Sequence, residues 1–195
     1  FFFKQKTAYE IRNCDWSSDV CSSDLLWADL GTGSGCLAIA LARSFPASRG
    51  LAVDLSGPAL AQCRRNLDAL GLGERVSLLQ GSWWTPLKPW WGQLELVVAN
   101  PPYIPSAVVA GLDSMVRDHE PWLALDGGND GLDGLRAIVA AAPLALAPGG
   151  LLVVEHHHDQ SQAVLELMRA AWLRHPLAHR DLEGVRRFAS ALNSA

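Results

Sequence analysis

The sequence contains no run approaching the ~20 consecutive apolar residues that a membrane-spanning helix needs. It also carries no basic tail or block: 16 Lys and Arg stand against 20 Asp and Glu, a formal charge of −4. A protein living mainly on phosphate contacts is usually more basic. Cysteine is scarce, with four in 195 residues. That is too few for a disulfide framework, so a reduced, cytoplasmic setting is expected. Disorder and low complexity are excluded by the ordinary charge content, 18%, and by 49% hydrophobic residues arranged in periodic segments. No internal repeat is present.

Lysine is scarcer still, and unevenly placed. Two of the three, Lys4 and Lys6, lie before Leu25, and only Lys88 follows. The chain also begins at Phe1 without an initiator Met. Lys4–Glu10 (KQKTAYE) back-translates to a string resembling a flow-cell adapter from short-read DNA sequencing. Asp15–Leu25 (DWSSDVCSSDL) resembles the read-primer part of the same oligonucleotide, and Ile11–Cys14 spans a sample index between them. Residues 1–25 are therefore expected to be a non-native segment outside the fold, leaving 26–195 as the domain. Only Cys36 and Cys63 then remain, without metal-ligand spacing, and no metal site is expected.

From Leu26 onward, strands and helices alternate. Leu26–Leu30 is a short apolar run entering a Gly-rich turn, and Cys36–Arg43 is the helix after it. Gly50–Asp54 reads as a strand, and Ser56 caps a helix through about Leu70. Arg75–Gln80 and Leu94–Ala99 are further strands, the latter stopped by Pro101 and Pro102. Gly131–Leu146 has helical period and ends at Pro148-Gly149-Gly150. Leu151–Glu155 is a fifth strand and Gln160–Leu173 a helix. Leu177–Leu192 reads as two short strands closing an edge. Continuous Val/Leu strands separated by helices predict an α/β domain, doubly wound around a mostly parallel sheet.

Three motifs carry chemistry. The first is Asp29-Leu30-Gly31-Thr32-Gly33-Ser34-Gly35, between the first strand and its helix. Its glycines let the backbone turn sharply and approach a ligand, with helix N–H groups aimed at it. Asp54, ending the second strand, is placed to accept from both hydroxyls of a ribose. These features alone suit a dinucleotide as well as S-adenosylmethionine. The second motif is Asn100-Pro101-Pro102-Tyr103, at the carboxyl edge where doubly wound sheets bind ligands. An Asn amide oxygen and a carbonyl fixed by proline can both accept from a planar NH2 group, while a Tyr ring covers the substrate plane. That arrangement suits alkylation of an amide or exocyclic amine nitrogen. The third is the polar, Gly-rich stretch His119-Glu120-Pro121 through Gly127-Gly128-Asn129-Asp130-Gly131, whose length inside a compact domain points to function.

Together the three motifs resemble the S-adenosylmethionine-dependent N5-glutamine methyltransferases of the HemK type, which modify peptide-chain release factors. The resemblance covers about Leu26 to Leu192 and implies a Rossmann-like class I methyltransferase. It implies that Asp29, Gly31, Thr32, Gly33, Ser34 and Gly35 form the loop around the cofactor's methionine part, with Asp54 on the ribose. Trp83 matches an aromatic near the adenine, with neighbouring Trp84 blurring the register; Trp84, Trp90 and Trp91 otherwise read as packing. Asn100, Pro101, Pro102 and Tyr103 match the substrate-amide clamp, with Asn100 also beside the cofactor. The implied partner is a release factor, acted on by a cytoplasmic monomer that binds neither membrane nor nucleic acid directly. Two features depart from the family. Its N-terminal helical domain is not found here, so docking is expected to be impaired. Where the family often has Gly after the fifth strand, this chain has His157 within Glu155–His158, and adjacent His156, His157 and His158 cannot easily face one ion. Three alternatives share parts of the pattern: a ribosomal-protein glutamine methyltransferase, an adenine-N6 DNA methyltransferase acting by base flipping, and a cofactor-binding fragment without turnover. The acidic balance and the Glu-Pro…Gly-Gly loop weigh against the DNA enzyme.

Overall fold

The computed structural model describes residues 25–109, 111 and 122–194. His119, Glu120 and Pro121 of the third motif lie outside the described residues, as does the N-terminal stretch up to Asp24. Leu25, counted above with that stretch, is fully buried, so the domain's core begins one residue before the expected boundary. Its carbonyl accepts from the Arg49 amide at 3.0 Å, extending the first strand pairing.

Among the described residues, seven strands form one sheet: β1 (Leu26–Leu30), β2 (Arg49–Asp54), β3 (Val76–Gln80), β4 (Leu94–Ala99), β5 (Leu146–Glu155), β6 (Arg174–Arg180) and β7 (Arg186–Leu192). Their spatial order is β3-β2-β1-β4-β5-β7-β6. The first five pair in parallel and β7 is antiparallel to both β5 and β6. The helices are α1 (Cys36–Ser44), α2 (Gly57–Ala69), the short α3 (Ser106–Val109) and α4 (Trp122–Leu125), α5 (Asp133–Ala145) and α6 (Ser161–Ala170).

Strand side chains alternate between two cores, as a pleated strand covered on both faces must. Trp27, Leu96, Val98 and Val153 pack with α1 and α2 through Leu37, Leu41, Cys63 and Leu67. Ala28, Leu30, Val97 and Val154 pack with α5 and α6 through Leu135, Ile138, Val164 and Met168. This is the expected Rossmann-like, doubly wound sandwich. Two strand starts differ from the sequence reading by three residues or more. β5 starts at Leu146 and runs through the Pro148-Gly149-Gly150 segment, absorbing it as an irregularity in the pairing with β4 between Leu94 and Leu96. The closing hairpin starts at Arg174 rather than Leu177, because pairing with β7 supplies an order that its polar sequence does not announce.

The chain leaves β1 toward β2 on one side and returns to β4 on the other. The loops after β1 and β4 therefore diverge and open a crevice at their carboxyl ends. The first two motifs sit there.

Candidate active site

The loop after β1 turns on three glycines with positive φ: +75° at Gly31, +57° at Gly33 and +89° at Gly35. Two forces hold it. From β2, the Val53 carbonyl accepts from the amides of Gly31 (2.8 Å) and Thr32 (2.9 Å). From below, Asp29 braces it: fully buried, its Oδ2 accepts from Thr32 Oγ1 at 2.7 Å and from the Ala38 amide at 3.1 Å. The second of these bonds satisfies a donor in the first turn of α1, where a carboxylate is favoured. Asp29 thus lies under the loop, while Gly31, Gly33 and Ser34 are partly exposed above it.

Asp54 ends β2 half-buried. Its Oδ2 accepts from the Gly33 amide at 2.8 Å and its Oδ1 from the Ser56 amide at 2.8 Å. A carboxylate offers about four acceptor positions, so each oxygen keeps capacity for a hydroxyl. Trp83 and Trp84 separate cleanly. Trp84 is buried and donates its Nε1 to the Ile138 carbonyl at 3.0 Å, so it belongs to the core. Trp83, at φ 44°, turns the other way. A Cβ built on Gly31 would lie 3.2 Å from Trp83 Cζ3, and one on Gly134 3.3 Å from its Cζ2. Its indole therefore sits between the glycine loop and the start of α5, with glycines allowing the approach.

The Asn100–Tyr103 segment leaves β4 beside this loop. Asn100 Nδ2 donates to Glu155 Oε2 at 2.9 Å, and the Tyr103 hydroxyl donates to Glu155 Oε1 at 3.2 Å. Burial first, then the nearby Glu155 charge, pushes the Tyr103 phenol up to about 12, so its hydroxyl stays protonated. The third motif packs directly behind. Gly127 and Gly131 pass so close to the backbone of Pro102 and Tyr103 that a Cβ on either would collide with a carbonyl oxygen. Gln160 ties the pieces together: its Nε2 donates to the Tyr103 carbonyl at 3.0 Å, and its Oε1 accepts from the His157 amide at 2.9 Å. Glu155 and Gln160 entered the sequence reading only as the end of a strand and the start of a helix. Their one legible signal was a pair of polar residues flanking an apolar strand at the carboxyl edge.

The three histidines diverge. His156 is fully buried, with Nδ1 donating to the His157 carbonyl at 2.7 Å. His157 pairs with Asp159 (2.6 Å) at the rim, its ring centroid 6.2 Å from that of Tyr103. His158 is exposed, its ring centroid 4.1 Å from that of His157 and the two rings tilted at 53°. No group of three or more His, Cys, Asp or Glu side chains able to hold a metal occurs among the described residues.

The structure thus brings the glycine loop, Asp54, Trp83 and the Asn100–Tyr103 segment to one crevice. The glycine cradle, an acid with free acceptor positions and an adjacent indole together fit an adenosyl group carrying an amino-acid tail. The fold is that of a Rossmann-like, class I methyltransferase domain. A family model described as a methyltransferase domain matches residues 28–118. An O-methyltransferase family protein from Burkholderia thailandensis superposes with a TM-score of 0.69 at 14% identity, covering 99% of this chain and 57% of that one. S-adenosylmethionine is the methyl donor this fold implies.

Over that domain the chain is a homologue of the curated release factor glutamine methyltransferases. It is 52% identical to the one from Prochlorococcus marinus over 166 residues, and 46% identical to the one from Synechocystis over 166 residues. Each match covers 85% of this chain. The chain spans 57% and 56% of the length of those two relatives.

Proposed function

We propose that this domain transfers a methyl group from S-adenosylmethionine to the side-chain amide nitrogen of the glutamine in the Gly-Gly-Gln loop of a peptide-chain release factor. The observation that carries the reading is the clamp: Asn100, turned by its bond to Glu155, beside the loop and acid that suit the donor. The names borne by the homologues support the choice of acceptor.

In this reading Gly31 to Gly35 hold the amino-acid tail of the donor, braced from beneath by Asp29. Asp54 holds the ribose and Trp83 lies against the adenine. The bound donor supplies an electrophilic methyl on a sulfonium. Asn100 Oδ1 and the Pro101 region accept the two hydrogens of the acceptor amide, turning its nitrogen toward that methyl. Pro101 and Pro102 keep those acceptors from rearranging, and Tyr103 covers the plane of the substrate. An amide nitrogen is a poor nucleophile because its lone pair is delocalised, so alignment is the main contribution, worth up to about 7–11 kcal/mol in favourable cases. The nitrogen–methyl bond would form as the methyl–sulfur bond breaks, with the sulfur leaving as a neutral thioether and the amide proton passing to water then or afterwards. The chain acts as a cytoplasmic monomer whose catalytic unit is the domain from Leu25 onward.

The test supplies radiolabelled donor with a release factor, its Gln→Ala variant in the Gly-Gly-Gln loop, ribosomal protein and duplex DNA. Label is expected on the release factor and absent from its Gln→Ala variant. Label on DNA or ribosomal protein alone, or label surviving the Gln→Ala change, rejects the assignment.

A further inference from the structure

Glu155 closes β5 level with Asn100 at the end of β4, because Ala99 and Val154 are register partners. It is 2% exposed. Its two oxygens divide between two side chains of the clamp, Oε2 accepting from Asn100 Nδ2 at 2.9 Å and Oε1 from the Tyr103 hydroxyl at 3.2 Å.

We infer that Glu155 is a positioning residue that sets the polarity of the Asn100–Tyr103 clamp, making it select an NH2-bearing acceptor over a carboxylate. The inference rests on the amide-nitrogen reading given above. A carboxamide is nearly symmetric in shape, so nothing steric decides which of its two ends faces a ligand. A carboxylate decides it, because it has acceptors and no donor. Inverting Asn100 would set Oδ1 against Glu155 Oε2, exchanging a charge-assisted bond for a repulsion inside the protein, where an unmade bond is costly. Nδ2 therefore points inward and Oδ1 outward. The exposed end of the clamp is an acceptor, which suits a glutamine NH2 and opposes a glutamate oxygen.

The same bond sharpens the acceptor it creates. A donor bonded to an anion polarises its own carbonyl, strengthening the next hydrogen bond along the chain. Tyr103 is fixed by the second oxygen, so its ring and the Asn100 amide are held in one geometry by one buried group. Gln160 performs the matching task on the backbone, through the Tyr103 carbonyl.

The test is Glu155→Gln in the whole chain, which keeps size and shape but gives the side chain a donor. The first readout needs no activity: the 15N–1H resonances of the Asn100 side-chain amide, assigned by their loss in Asn100→Ala. In wild type one amide proton is expected well downfield, bonded to a carboxylate, and in Glu155→Gln that shift is lost. The second uses a Gly-Gly-Gln peptide and its glutamate counterpart. Loss of one charge-assisted bond predicts a fall in kcat of roughly 10–100-fold, with donor affinity within about 2-fold. Competition by the glutamate peptide, weak against wild type, should strengthen relative to the glutamine peptide. Glu155→Asp keeps the acceptor-only chemistry; should Glu155→Gln fail to fold, its retained downfield proton and glutamine preference carry the test. An Asn100 proton that is not downfield in wild type, or is unmoved in Glu155→Gln, overturns the inference, as does an unchanged glutamine-to-glutamate preference. Wild type that transfers no label to the glutamine peptide defeats the amide-nitrogen reading instead, and the resonance readout still decides the orientation of Asn100.

Discussion

The Gly33 amide donates to Asp54 Oδ2 at 2.8 Å, so the turn after β1 and the acid ending β2 are one hydrogen-bonded unit. The other oxygen of Asp54 takes the Ser56 amide at the start of α2. One side chain thus shapes the glycine loop, orients a helix and presents acceptors to the crevice.

Asp54→Ala is accordingly expected to act twice. Cofactor affinity should fall through the loss of charge-assisted hydrogen bonds, about 1.5–3 kcal/mol each at most. Stability should fall as well, by about 1–3 kcal/mol, because two backbone amides lose their partner. Calorimetry with S-adenosylmethionine and with NADH checks the first effect, and denaturant unfolding the second. Binding of NADH without S-adenosylmethionine would defeat the cofactor assignment.

Gly35→Ala introduces a methyl 2.5 Å from Cys63 Sγ, at a φ of +89°. Backbone strain and overpacking together should cost about 2–4 kcal/mol. Gly71→Ala is the control: φ is +66° but nothing lies within 4 Å of the new atom. Only the backbone term of about 1–2 kcal/mol is expected there. Adding Cys63→Ala to Gly35→Ala should recover part of the loss. Equal midpoints for the two single variants would show that contact with Cys63 contributes nothing.

Asn100→Ala removes the proposed acceptor of the amide hydrogens while leaving the glycine loop and Asp54 intact. Turnover with a release factor should fall roughly 100-fold or more, in line with a lost positioning contact. Cofactor affinity should change by less than about 1 kcal/mol, since the hydrogen bonds to the tail and ribose survive. Single-turnover kinetics beside calorimetry separates the two. Equal losses in both would place Asn100 in cofactor binding alone.

Acid should destabilise the fold in two stages. Burial lowers the imidazole pKa of His156 and of His179 below 6.5. The unfolded chain then binds more protons than the folded one as pH falls below that value, so stability declines from there downward. The slope is at most about 1.4 kcal/mol per pH unit for each imidazole. A second decline is expected below about pH 4. There Asp130, held at about 2 chiefly by its bond to Arg136, and Asp126 and Asp159, also lowered, are protonated in the unfolded chain first. Denaturant titrations from pH 8 to pH 3 read both stages. His179→Gln should flatten the upper one, and an unchanged slope would show that His179 does not contribute.

Much of this protein is written locally. The Asp29–Gly35 run turns where it does because glycine accepts the left-handed φ values at 31, 33 and 35 without steric cost. Asp54 and Asn100 are marked by their place at the ends of apolar strands, and the strand–helix alternation fixes the parallel sheet. What neighbours along the chain cannot encode came only with the tertiary structure. Trp83 and Trp84 are identical in type and adjacent; contact with Gly31 and Gly134 on one side, and with Ile138 on the other, sends one to the crevice and the other to the core. β5 runs through Pro148-Gly149-Gly150, against local preference, because Leu146 before it and Leu151 after it both pair with β4. Glu155 reads in sequence as the polar end of a strand, and its hold on Asn100 spans 55 residues. Such a bond depends on which strand ends lie side by side, and that is settled by packing both faces of the sheet at once.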